Sequence, residues 1–165
     1  MVHASSYRSP IGVLQIHVDD RGRLLRLELP GSAVAPAPRH RAGDGTDHVV
    51  LQLEQYFAGE RRTFDLELAP AGTPFQQRAW RALRRIPFGA TRSYQQQAAA
   101  IGNPRAMRAV GAANGRNPIA IVVPCHRVIG KDGSLVGFGG GLDCKRRLLA
   151  HEAAVLAGTG AACGA

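Results

Sequence analysis

Acidic residues almost vanish from the second half of this chain. Of its 12 Asp and Glu, residues 73–165 hold only Asp132, Asp143 and Glu152 against thirteen Arg and Lys, a net +10; residues 1–72 set nine acids against eight Arg, a net −1. The whole excess of +9 therefore lies on one side of Gly72. Such asymmetry suits a polyanionic partner, nucleic acid first, with a solvated basic face as the plainer alternative. Cysteine is also scarce. Cys125, Cys144 and Cys163 are odd in number and fall in no C-x-x-C or Cys/His spacing, which argues against a disulfide framework and a zinc site and fits a reducing compartment. No apolar run approaches the roughly 18 residues a membrane span needs. Residues Met1 to Tyr7 lack a signal-type apolar core, so a cytoplasmic protein without a membrane partner is expected. At 165 residues the chain has length for one ordinary domain or two small ones.

Against that background one stretch carries unusual chemistry. Ile119-Ala120-Ile121-Val122-Val123 is apolar and mostly β-branched, reads as a core strand, and stops at Pro124; Cys125, His126 and Arg127 follow at once before Val128 and Ile129 resume. A thiol with an unperturbed pKa of about 8.5 is only a few per cent thiolate at neutral pH, so a useful nucleophile needs a neighbouring base or cation. His126 and Arg127 are placed to supply one. A buried cysteine acting as a small hydrophobe at a strand end is the alternative.

In chain order, Leu14, Ile16 and Val18 alternate with polar residues, Asp19 to Gly22 supply a turn, and Leu25, Leu27 and Leu29 alternate again, which predicts a β-hairpin with one buried face. Residues 30–45 are rich in Pro and Gly and read as a mobile loop without function. Val50, Leu51, Leu53, Tyr56 and Phe57 fit a helix from Asp47 to Gly59, and Phe64, Leu66 and Leu68 alternate as a strand. Past Gly72, Thr73-Pro74-Phe75-Gln76 opens a helix with a capping box, and Ser93-Tyr94-Gln95-Gln96 opens another. Asn103-Pro104 is expected to cap a third, bearing Arg105 and Arg108 among small residues. Two short helices joined by a Gly-Asn-Pro turn predict a helix-turn-helix, an ordinary αα-corner being the alternative. Ala106, Ala109, Gly111, Ala112 and Ala113 permit close approach to a groove but offer little to base edges, so Arg108 is the candidate to project between bases, or else to contact a phosphate. Asn117, before Pro118, is placed to brace this helix against the Cys125 strand. Phe138 is the lone large side chain of the glycine-rich loop Gly137 to Gly141 and can stack on a base. Asp143 is expected to cap a last helix carrying Leu148, Leu149, Glu152 and Val155, and the alanine- and glycine-rich residues 153–165 read as a tail.

Taken together, Tyr94, Gly102-Asn103-Pro104, Arg108-Ala109-Val110-Gly111, Asn117-Pro118, Pro124-Cys125-His126-Arg127-Val128 and the glycine loop ahead of Leu148-Leu149-Ala150-His151-Glu152 closely resemble the O6-alkylguanine-DNA alkyltransferases. The Pro-Cys-His-Arg motif within this order is highly specific. The resemblance spans residues 73–152 closely and the N-terminal part loosely. It implies an α/β fold: a small N-terminal α/β domain with an antiparallel sheet over 1–72, a mostly helical C-terminal domain with a helix-turn-helix over 73–155, and a disordered tail at 156–165. It further implies a single-turnover transfer of methyl or other alkyl groups from O6-alkylguanine, and from O4-alkylthymine, in duplex DNA to Cys125 after base flipping through the minor groove. His126 would take the thiol proton through a water, with Glu152 holding the imidazole. Asn117 would hold the turn, Tyr94 would aid flipping and protonate the leaving guanine, and Arg108 would fill the vacated space. Gln95 and Asn103 would contact DNA, and Phe138 and Gly139 would border the pocket. No cofactor or metal is implied, and the partner is double-stranded DNA bound by a monomer, cooperative binding being left open. Some members have Tyr and Ser where this chain has Phe138 and Gly139, which bears on the alkyl groups accepted, and the cysteines of an N-terminal zinc site found in some relatives are absent. A lesion-binding module without chemistry, a helix-turn-helix regulator and a cysteine hydrolase are the competing readings; the first lacks the cysteine, the second leaves Cys125 idle, and the third turns over repeatedly.

Overall fold

The computed structural model describes residues 1–136 and 141–158, so Phe138, Gly139, Cys163 and most of the 156–165 tail lie outside the described residues. β1 (Val2–Ser9), β2 (Gly12–Asp19) and β3 (Leu24–Glu28) form an antiparallel sheet in the order β1-β2-β3. Central β2 buries Leu14, Ile16 and Val18 completely, each worth about 1.5–3 kcal/mol relative to exposure. A bulge between His17 and Val18 pairs Val18 with Leu24. The buried set is consequently Leu24 and Leu27 on the third strand and Leu29 just past its end, and Leu25, expected inside from simple alternation, is partly exposed. β1 has no apolar signal in the sequence, because its buried positions are Ser5 and Ser9. Ser5 Oγ meets Thr46 Oγ1 at 2.5 Å, which satisfies both hydroxyls inside the core.

Two further expectations change here. Residues 30–45 form no helix or strand of their own, but Ser6 N–H donates to Pro38 O (2.7 Å), His40 N–H donates to Ser6 O (2.8 Å) and Ala37 N–H donates to Gln15 Oε1 (2.8 Å). The segment read as a mobile loop therefore lies along the open edge of β1 and covers it. Phe64 to Leu68 is no strand; it contributes one bridge, with Leu24 donating to Glu67 O and Ala69 donating to Leu24 O. β3 is only five residues long, and its outer edge is shared with Ile119, since Leu27 N–H donates to Pro118 O (2.8 Å) and Ala120 N–H donates to Leu27 O (3.0 Å). Thus the chain leading to Cys125 is fastened to the N-terminal sheet.

α1 (Asp47–Phe57) packs Val49, Val50, Leu53, Tyr56 and Phe57 inward, while Leu51 is 53% exposed, one position off the stripe assigned from sequence. α2 (Pro74–Leu83) and α3 (Tyr94–Ala100) both begin with complete capping boxes, at Thr73 and Ser93. α4 runs Met107–Gly115 with Ala106 at its start, so Asn103 does not cap it; Asn103 instead accepts from Ala106 N–H in the preceding turn, and Arg105 precedes the helix. β4 (Arg92–Ser93) and β5 (Val128–Ile129) pair in parallel.

The apolar run before the thiol is not a strand. Val122 N–H donates to Ala120 O and Val123 N–H donates to Ile119 O, so the segment coils on itself with all five residues buried. Ile121 has φ +70°, an uncommon backbone for a β-branched residue and worth roughly 1–3 kcal/mol of strain that the surrounding packing holds. β-branching here reports burial, not extension. α5 (Leu142–Leu156) starts from Gly141 rather than an Asp143 cap, and it carries residues 153–156, read from composition as part of the tail, with Val155 buried. No helix among the described residues is long and apolar enough to cross a membrane.

Candidate active site

Cys125 opens a single 3₁₀ turn, Cys125–Arg127, whose three residues are buried and which packs against α2 and α5. It borders a cavity of about 250 Å³ formed by Asn114, Gly115, Asn117 and Ala120 on the helical side and by Leu27 to Leu29 and Gly31 to Ala33 on the sheet side. Residues 31–33, assigned no role from sequence, therefore face the same cavity as the thiol. Burial pushes the Cys125 thiol up; a hydrogen bond from Asn117 and the positive charge of Lys145 pull the other way without prevailing. At neutral pH the group therefore rests as a thiol. Asn117 also donates from Nδ2 to Val123 O (2.8 Å) and accepts from Ile119 N–H at Oδ1 (3.0 Å), which spans the coiled segment from α4 to Cys125.

Glu152, on the far turn of α5, is completely buried and is the hub of the site. Its Oε2 accepts from Tyr56 Oη (2.7 Å), His126 Nε2 (2.7 Å) and Arg127 Nη2 (3.0 Å), and its Oε1 from Arg127 Nε (2.8 Å) and Gly89 N–H (3.1 Å). Burial alone would raise this carboxyl, but the charges and hydrogen bonds of His126 and Arg127 hold it well below the usual carboxylate range. His126 is pushed down by burial despite the facing carboxylate. A neutral His126 that donates from Nε2 to Glu152 carries its lone pair on Nδ1, and Nδ1 is buried with no hydrogen-bond partner. The arrangement is an oriented base beside a thiol.

The other expected residues separate by location. Tyr94 begins α3, half-buried, with its hydroxyl donating to Val136 O (3.1 Å) and its pKa raised by burial and then by Cys125, so it stays protonated at neutral pH. Gln95, Asn103 and Arg108 are exposed on the α3–turn–α4 surface. Phe138 and Gly139 lie outside the described residues. Arg127 does not act on the thiol as the sequence suggested: its guanidinium is committed to Glu152 and, through Nη1, to Ile86 O (2.8 Å). The cation acting on Cys125 is Lys145, fully buried, donating to Val136 O. Lys145 went unnoticed, although it lies seven residues before Glu152 and hence on the same face of one helix. Tyr56 was assigned only to packing. His40, Asp44 and Asp47 bring ligand atoms within 4.8 Å of one another, but both His40 ring nitrogens already face the two carboxylates, as in an ordinary ion-pair cluster.

A family model for the ribonuclease-like domain of 6-O-methylguanine DNA methyltransferase matches residues 2–70, and one for its DNA-binding domain matches residues 74–154. The chain belongs to the 6-O-methylguanine DNA methyltransferase family. Within the family, the methylated-DNA–protein-cysteine methyltransferase of Methanosarcina acetivorans is 47% identical over 154 residues, covering 88% of this chain and 95% of its own. That of Mycolicibacterium paratuberculosis is 50% identical over 159 residues, covering 92% and 93%. The crystal structure of Mycobacterium tuberculosis OGT in complex with DNA matches with TM-score 0.83 at 47% identity over 93% of this chain and 94% of that one. The family's fold, a small antiparallel α/β domain joined to a mostly helical one, is the fold observed here.

Proposed function

We propose that this chain is a methylated-DNA–protein-cysteine methyltransferase that repairs alkylated duplex DNA by direct, single-turnover transfer to Cys125. Residues 1–72 serve as scaffold and 73–155 as the DNA-binding and transfer domain. The observation that carries the reading is the neutral His126 with Nε2 fixed on Glu152 and a lone pair left on Nδ1, immediately after a cysteine that borders a cavity. The cationic C-terminal half and its exposed Arg108 suit approach to the minor groove, where Gln95 and Asn103 contact the backbone and Arg108 replaces the extruded base. Phe138 and Gly139 border the base by the family resemblance.

In the transfer itself, the Cys125 proton passes through a water to His126 Nδ1 and the sulfur attacks the alkyl carbon of O6-alkylguanine, or of O4-alkylthymine. The S–C bond forms as the C–O bond breaks, the electron pair leaves on the base oxygen, and Tyr94 supplies the proton that the departing guanine needs. Lys145 favours the transient thiolate. His126 then returns its proton through water to the Tyr94 phenolate, so the net change is one proton lost by the thiol and one gained by the base. The thioether is not hydrolysed by water, so each molecule acts once, and a single chain holds every group named, so a monomer suffices. Incubation with duplex DNA containing O6-methylguanine is expected to add one methyl to Cys125, read by peptide mass spectrometry, with a stoichiometric endpoint. Repeated turnover, or an unmodified Cys125 in a repaired sample, rejects the reading.

A further inference from the structure

We propose that Tyr56, contributed by the N-terminal domain, is a positioning residue for alkyl transfer, its hydroxyl fixing the Glu152 oxygen that orients His126. The inference rests on the transfer reading and extends it to a residue in the half of the chain that would otherwise serve only as scaffold.

Tyr56 Oη and His126 Nε2 reach the same carboxylate oxygen, Oε2, each at 2.7 Å. The phenol ring is completely buried against Phe57, Phe64, Phe88 and His151, with centroid distances of 5.0–6.0 Å. A phenylalanine would provide that packing; what the hydroxyl adds is the bond to Glu152. The ring is also registered from outside itself, because His151 Nε2 bonds the Tyr56 carbonyl oxygen (2.8 Å). Two successive residues of α5, His151 and Glu152, are thereby docked on one residue of α1.

The charged and titratable groups around the carboxylate come from every side. His126 and Arg127 belong to the 3₁₀ turn, the Gly89 N–H to the turn after α2, and Tyr56 to α1, while on α5 itself Lys145 acts on His126 and His151 faces the Tyr56 carbonyl. Tyr56 is the donor that the N-terminal domain supplies. Without its hydroxyl, Oε2 keeps His126 and Arg127, more of its negative charge is directed at the His126 N–H, and the imidazolium is favoured over the neutral ring. Proton uptake at Nδ1 then precedes the reaction, and the base is lost at a higher pH than before.

The test compares full-length Tyr56→Phe with Phe57→Leu, a buried neighbour on the same helix whose side chain has no hydrogen-bond donor to offer Glu152. Two quantities are read: the single-turnover methyl-transfer rate across about pH 5 to 9, and the NMR titration of the His126 ring without DNA. For Tyr56→Phe both the acid limb of the rate and the His126 titration are expected to move up by about half to one pH unit, roughly 3- to 10-fold in rate on that limb. Phe57→Leu should lower the melting temperature and move neither. Unchanged profiles in Tyr56→Phe, or equal shifts in both variants, overturn the inference. A wild-type protein that transfers no methyl rejects the transfer reading instead, while the His126 titration still decides whether Tyr56 acts on Glu152.

Discussion

Gln97 and Asn114 exchange side-chain amides in the seam between α3 and α4: Gln97 Nε2 donates to Asn114 Oδ1 (2.8 Å) and Asn114 Nδ2 donates back to Gln97 Oε1 (2.7 Å). Both are buried, and Gln97 also reaches Ala79 O on α2 (3.2 Å). The crossing of α3 and α4 is thus set by a polar lock whose one end, Asn114, also lines the cavity beside Cys125.

Breaking one side of that lock should cost more than removing it. Asn114→Leu leaves the Gln97 amide buried and unpaired, which amounts to about 1–3 kcal/mol, whereas Gln97→Leu with Asn114→Leu recovers part of the loss. Urea denaturation of the two singles and the double gives the coupling directly, and additive losses would contradict the pairing.

Glu152→Gln should be among the most damaging single changes. It removes the charge facing Arg127, which is 6% exposed, and leaves a guanidinium without its counter-ion in the interior, a loss of about 3–5 kcal/mol. Chemical denaturation measures the stability, and transfer should slow even where the variant remains folded, because His126 loses the carboxylate that orients it.

Acid should destabilise the protein in two steps. The folded state holds His126 neutral to a lower pH than the unfolded chain does, so below about pH 6.5 the unfolded state binds a proton the folded state refuses. Glu152 remains ionised in the fold below the ordinary glutamate range, so a second loss begins below about pH 4.3 and continues towards its depressed value. Both signs agree: stability falls as pH falls. Denaturation midpoints from pH 7 to 4 are expected to decline, and His126→Gln should flatten the upper part of that slope.

Arg108→Ala distinguishes a wedge from a phosphate contact. A lost phosphate contact lowers the log–log salt slope of DNA binding by about 0.9, whereas a lost wedge leaves that slope in place and slows base extrusion and methyl transfer. The exposed position of Arg108 in the first turn of α4 and its small neighbours favour the second outcome, checked by binding titrations at several salt concentrations beside single-turnover rates.

Local chemistry was the legible part of this chain. Thr73 and Ser93 announced their helices because a capping box satisfies named donors within four residues. Central β2 was visible because one strand face is wholly apolar. β1 was hidden because its core positions are serines, Ser9 bonded within the turn to Gly12 O and Ser5 matched to Thr46 forty-one residues away, and such a pairing has no apolar pattern. Ile119 to Val123 misled for a related reason, since side-chain burial does not fix the backbone when the hydrogen bonds are made within the segment. At the site, Cys125 and His126 were adjacent in sequence and hard to miss. Lys145 and Tyr56 acquire their meaning only when α5 and α1 pack around the 3₁₀ turn, an event no short window contains.

The chain's single tryptophan, Trp80, is 3% exposed and donates its indole N–H to Ala113 O in the last turn of α4 (2.8 Å). Indole emission responds to such a bond and to the dryness around the ring. The molecule therefore carries its own optical gauge of how α4 sits, readable in real time and without a label.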